Sequence, residues 1–99
     1  MASYIRNMIR SFKHNGLARF FSSGSTAGIQ AAHSARLRLI LGRLNAASDV
    51  RDMDLPGIRL HQLSGNRAGI WSVTVSGHWR VTFRFEDGDA EIVNYEDYH

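Results

Sequence analysis

Cysteine is absent from the 99 residues, which excludes disulfides and thiolate metal sites and is compatible with a reducing compartment. Proline occurs once, as Pro56, and no repeat, low-complexity tract or domain linker interrupts the chain. No run approaches the roughly 18 apolar residues of a membrane span, and the N-terminus lacks a secretory h-region. The default expectation is therefore a cytoplasmic protein with no membrane partner. Acids are scarce in the first half: up to Arg51 only Asp49 stands against seven arginines and one lysine. The far end is the reverse, with six acids and no Lys or Arg from Glu86 onward. Lysine is rare too, eleven of the twelve strong bases being arginine, the residue suited to bidentate phosphate contacts. Net charge +3 and a pI near 10.0 are modest, but their uneven distribution suggests polyanion binding beside a carboxylate-bearing site. The plain alternative is a soluble domain with an ordinary arginine bias.

What is present reads as one domain, 1–99, with a 43% apolar share that suits a globular core. "IRSF" (9–12) is a short strand candidate. In "NGLARFFSSG" (15–24), Leu17, Phe20 and Phe21 recur at helical spacing and Gly24 is a plausible stop. From Gln30 to Ser48, Leu37, Ile40, Leu41 and Leu44 form one stripe, with Arg36 and Arg43 away from it and Ser25 or Thr26 as upstream caps. Arg38, between Leu37 and Leu39, is expected to pack along its stem. After a turn at "LPG" (55–57) the period changes to two, in "IRLHQL" (58–63), "IWSVTV" (70–75), "WRVTFRF" (79–85) and "AEIVNY" (90–95). "SG" (76–77) and "DG" (87–88) are hairpin turns between the last three. The fold class expected is α+β, two N-terminal helices packed on one face of a small, mainly antiparallel sheet.

Alternation sends Trp79, Val81, Phe83 and Phe85 to the helices and Arg80, Thr82 and Arg84 to the open face. A two-residue turn at Asp87-Gly88 pairs Glu86 with Asp89, Phe85 with Ala90 and Arg84 with Glu91. Counting on without interruption pairs Phe83 with Ile92 and Arg80 with Tyr95. That count sets Tyr95, Asp97 and His99 on Arg80's face, His78 opposite Asp97, and Arg59 and His61 on the open face of the first strand. One extra residue would turn the tail over.

Such a face gathers acid–base groups beside an anion binder. RNA cleavage through the 2′-hydroxyl needs a base, a cation for the phosphate and an acid for the departing 5′-oxygen, and these residues fill that set. Other chemistries fit worse. There is no cysteine nucleophile or G-x-S-x-G elbow, and "GNRAG" lacks the lysine and context of a P-loop. The five histidines lack H-E-x-x-H spacing, so no metal site is expected, Asp97 with His78 and His99 at most catching an adventitious ion.

"MIRSFKHNGL" (8–17), "LHQLSGNRAGIWSV" (60–73), "WRVTFRFEDGDA" (79–90) and "NYEDYH" (94–99) resemble the HigB branch of the RelE/ParE toxin superfamily. The resemblance implies a RelE-like fold and a ribosome-dependent mRNA endonuclease cutting codons in the A site, with no cofactor. It also implies a HigA-like helix-turn-helix antitoxin, through which alone operator DNA would be bound. The family's catalytic positions match His61, Asp97, Tyr98 and His99, and its phosphate-side arginines match Arg67 and Arg80. Arg36 and Arg43 become candidates for docking ribosomal RNA. Tyr98 is where the two readings part, because uninterrupted alternation turns it to the opposite face. Ser64 stands where the family often carries lysine, which would weaken substrate binding or shift codon preference. The match starts at Met8, so residues 1–7 are expected to be an extension. A gyrase-poisoning toxin of the same fold, or a non-catalytic RNA-binding module, are the rival readings.

Overall fold

A computed structural model of the chain describes residues 8–98; residues 1–7 and His99 lie outside the described residues. Helix α1 spans Asn15–Ser23. His14 caps it, its Nδ1 accepting from the Leu17 N–H at 2.9 Å, and Gly24 in the left-handed region (φ 81°) ends it by donating to the Phe20 carbonyl. Leu17 and Phe20 are buried, whereas Phe21 stays 38% exposed.

Helix α2 spans Ser34–Ala46 and buries the expected stripe of Leu37, Ile40, Leu41 and Leu44. Its start differs from the expectation. The 3-10 turn Ala31–His33 feeds directly into the helix, and the flanking His33 makes no side-chain cap. Ser25 caps only a local turn, accepting from the Ala27 N–H. The tight turn satisfies the first donors from its own carbonyls, so no hydroxyl is needed. Arg38 lies with its guanidinium 5.5 Å from the Phe20 ring centroid, a cation–π contact that binds α2 to α1.

The sheet has four strands in chain order, β1 (His61–Gln62), β2 (Ile70–Ser76), β3 (Trp79–Glu86) and β4 (Asp89–Asp97), with antiparallel neighbours. The first is far shorter than the 58–63 run suggested. Arg59 sits at φ 52°, outside extended geometry, and leaves only His61 and Gln62 in the ladder. The "IRSF" segment lies along the outer edge of β4 as parallel bridges Ile9↔Ala90 and Phe12↔Val93. Asp89 anchors it, accepting from the Met8 N–H and pairing with Arg10 at 3.2 Å. Both helices pack on one face against Val73, Val75, Val81, Phe83, Ala90, Val93 and Tyr95. This is the α+β layering the sequence suggested.

The β3–β4 hairpin begins as expected. Asp87 (φ 53°) and Gly88 (φ 83°) make the two-residue turn, and Glu86↔Asp89, Phe85↔Ala90 and Arg84↔Glu91 pair. The register then shifts by one residue. Two residues of β4, Ile92 and Val93, stand against Phe83, and the ladder resumes at Thr82↔Asn94. Ile92 adopts φ 47°. A bulge of this kind leaves one backbone donor without a ladder partner. Here the Ser11 hydroxyl takes it, accepting from the Ile92 N–H at 2.8 Å. Val93 is fully buried where Ile92 was expected, and Ile92 is 41% exposed.

Candidate active site on the open sheet face

The bulge decides which residues of the ending share a face. Beyond it, Val81 pairs with Tyr95, Arg80 with Glu96 and Trp79 with Asp97. Partners directly opposite in a ladder point to the same side. Tyr95 and Asp97 therefore take the helix-side parity of Val81 and Trp79, and Glu96 joins Arg80 on the open face. The expectation that Tyr95 and Asp97 share Arg80's face is thus corrected, as is the pairing of Asp97 with His78. The next residue, Tyr98, donates its own N–H to the His78 carbonyl at 2.7 Å. His99 lies outside the described residues.

Tyr95 is a core residue. Its hydroxyl accepts from the Gln30 N–H and lies 2.6 Å from His33 Nδ1, and its ring packs 4.6 Å from that of Trp79. Burial pushes this phenol's pKa up. The last strand is thereby pinned between the start of α1, where His14 meets the same ring edge-on, and the start of α2.

On the open face Glu96 is the organising group. Arg67, from the 3-10 turn Gly65–Arg67, reaches it with two parallel bonds of 3.1 and 2.7 Å. The Thr82 hydroxyl donates to the same carboxylate at 2.6 Å. The Arg67 bonds, then that from Thr82, outweigh burial and hold the Glu96 carboxyl below its ordinary range. Glu96 in turn raises Arg67, with a smaller electrostatic contribution from Tyr98. By the bulged register Tyr98, following Asp97, takes Arg80's parity, where uninterrupted alternation did not put it.

Arg80 folds back over the β2–β3 turn. Its Nη1 donates to the Gly77 and Trp79 carbonyls at 2.7 and 3.1 Å, while its Nε is shielded and has no partner among the described residues. His61 stands in a row with Ser72 of β2 and, through the ladder, with Thr82 and Asn94. It is exposed, and its Nδ1 lies 3.3 Å from the Arg59 carbonyl. A carbonyl only accepts, so this contact selects the tautomer with hydrogen on Nδ1 and leaves the Nε2 lone pair outward. Arg36 and Arg43 are exposed on α2, which lies against the opposite face, so they are not part of this site.

Sequence reasoning named His61, Arg67, Arg80 and Tyr98 but missed Glu96 and Thr82. The signal for Glu96 was apolar spacing: Ala90, Val93 and Tyr95 can all be inside only if one extra residue breaks the alternation. That same residue carries Glu96 outward.

The chain was compared with known proteins. Residues 10–99 match the family model described as RelE-like toxin of type II toxin-antitoxin system HigB. A curated relative, Endoribonuclease HigB of Proteus vulgaris, is 45% identical over 92 residues, covering 93% of this chain and 100% of that protein. The tight arginine–carboxylate centre, the outward histidine and the folded-back arginine therefore lie on the scaffold of a known toxin family: the chain belongs to the HigB-like toxins of type II toxin–antitoxin systems.

Proposed function

We propose that the protein is an endoribonuclease that cuts mRNA in the ribosomal A site and so arrests translation. What supports this is the open sheet face, where Glu96 holds Arg67 and where His61 and Arg80 share strand parity, in a chain 45% identical to a protein named Endoribonuclease HigB. His61 or Asp97 takes the proton of the substrate 2′-hydroxyl. The tautomer at His61 favours it as the base, and the helix-side register of Asp97 gives that carboxylate a less direct route. The freed 2′-oxygen bonds to phosphorus as the bond to the 5′-oxygen breaks, and His99 protonates the departing oxygen. The products are a 2′,3′-cyclic phosphate and a 5′-hydroxyl.

Arg80 and Arg67 neutralise the phosphate oxygens. Arg67 is already aligned by Glu96. Tyr98 completes the phosphate-side wall. Side chains supply every proton transfer, so the scheme calls for no metal ion or cofactor. Arg36 and Arg43, on α2, dock ribosomal RNA.

Membership of a type II system implies an antitoxin partner. We take it to be a HigA-like helix-turn-helix repressor, through which alone the toxin would meet operator DNA.

The test is to add purified protein to programmed ribosomes and map mRNA 5′ ends. His61→Ala and His99→Ala should each slow cutting by about 10²- to 10⁴-fold while leaving the folded state intact by circular dichroism. Message carrying 2′-deoxyribose at the cut position should resist. Intact mRNA with wild-type protein, or equal cutting of the deoxy substrate, would sink the reading.

A further inference from the structure

A cavity lies on the same face, beside Arg67 and away from the turn onto which Arg80 folds. Three separate parts of the chain converge on this cavity of about 240 Å³: Lys13 from the segment along β4, Asn66 and Arg67 from the 3-10 turn, and Thr82, Arg84 and Asn94 from the β3–β4 hairpin. The bulge and its partner strand build it. Lys13 N–H donates to the Val93 carbonyl at 2.8 Å, which fixes its backbone beside β4. Among the described residues no carboxylate lines the cavity. Glu91 faces Arg84 across the ladder, and Glu96 is bound to Arg67 and Thr82. Among the described residues neither Lys13 nor Arg84 has a carboxylate within ion-pair distance, and both side chains are exposed.

Two cations with no ion-pair carboxylate among the described residues, beside the Asn66 amide as a further N–H donor, suit a singly charged phosphodiester, while the Asn94 amide is drawn to Glu96. Among the described residues no aromatic ring lines the cavity, so they give a base nothing to stack on and favour contact with the backbone rather than with a particular base. Arg84 is four residues from Arg80 on β3, about 13 Å along the strand, and Arg80 folds the other way, onto the Gly77 carbonyl. We infer that this pocket is a subsite for a backbone phosphate of the mRNA strand next to the cut, binding substrate without taking part in the bond-making step. The inference rests on the endonuclease reading above.

The experiment uses the same programmed ribosomes with Lys13→Ala, Arg84→Ala and the double variant. Each single change should raise the half-saturating toxin concentration about tenfold. The single-turnover rate at saturation should stay within about twofold of wild type, and the salt dependence of binding should fall by about one unit of slope per cation. Messages carrying one neutral methylphosphonate linkage, walked across the positions flanking the cut, identify the phosphate. One such position should weaken wild-type protein to the same degree and make it indifferent to the substitutions.

Variants that saturate like wild type overturn the assignment. So does a series in which no flanking linkage matters, since the cations would then meet ribosomal RNA. A loss in saturated rate rather than in half-saturation overturns it as well, by placing the pair in the chemistry. Wild-type protein that cuts no message overturns the endonuclease reading itself, and the subsite with it.

Discussion

Glu96 holds Arg67 by two bonds and Thr82 by a third, so it sets where a phosphate-side guanidinium can stand. Its carboxyl is held below the ordinary value of 4.5. A carboxylate whose pKa is depressed on folding contributes stability that is fully present above its unfolded value and is lost as pH falls through the folded value. The urea-unfolding free energy of wild type should therefore fall relative to Glu96→Gln as pH drops from about 6 to 3, the two curves running parallel at higher pH. A constant gap through the acid range would show that the ion pair contributes nothing to folding. At neutral pH the same variant should cut mRNA more slowly, since Arg67 loses the acceptor that orients it.

At the scale of the element, the bulge in β4 is the feature on which the site depends. Ile92 is a β-branched residue at φ 47°, a conformation that costs such residues about 1–2 kcal/mol. It is also substantially exposed, while its neighbour Val93 is fully buried. The two adjacent residues should respond in opposite ways. Val93→Ala should cost about 2 kcal/mol or more, as for other buried aliphatic truncations. Ile92→Gly should leave stability within about 1 kcal/mol of wild type, on the stabilising side, because glycine relieves the backbone strain. Thermal or urea unfolding measures both. A regular ladder pairing Phe83 with Ile92 would exchange the two results, so the contrast tests the register itself.

For the whole molecule, charge is divided between two sides. The open sheet face carries the proposed chemistry, while Arg36 and Arg43 are exposed on α2, and Arg38 is partly committed to Phe20. Ribosome association should weaken as salt rises, and Arg36→Ala with Arg43→Ala should lower the slope of log affinity against log salt by about two. Binding that is indifferent to salt would remove α2 from the docking surface. Among the described residues no helix is long and apolar enough to cross a membrane.

Much of this architecture follows from local rules. Helical spacing gave the stripe of α2, and the period of two gave strands β2 to β4. Asp87-Gly88 gave the turn, because only a few residues tolerate two successive positive φ values. His61 and Arg80 were placed on the open face by parity alone. Local signals failed where the backbone left regular geometry: a left-handed Arg59 shortened β1, and a 3-10 turn replaced the expected hydroxyl cap of α2.

The amino-acid order by itself determined the α+β layering, the apolar face of each element and the residue types available for acid–base work. Only the tertiary structure decided which of Tyr95, Glu96, Asp97 and Tyr98 share Arg80's side. The reason is physical: strand parity is a running count, and one bulged residue inverts everything after it. The Ser11 hydroxyl that satisfies the bulged Ile92 N–H comes from 81 residues away in the chain, beyond the reach of any local pattern.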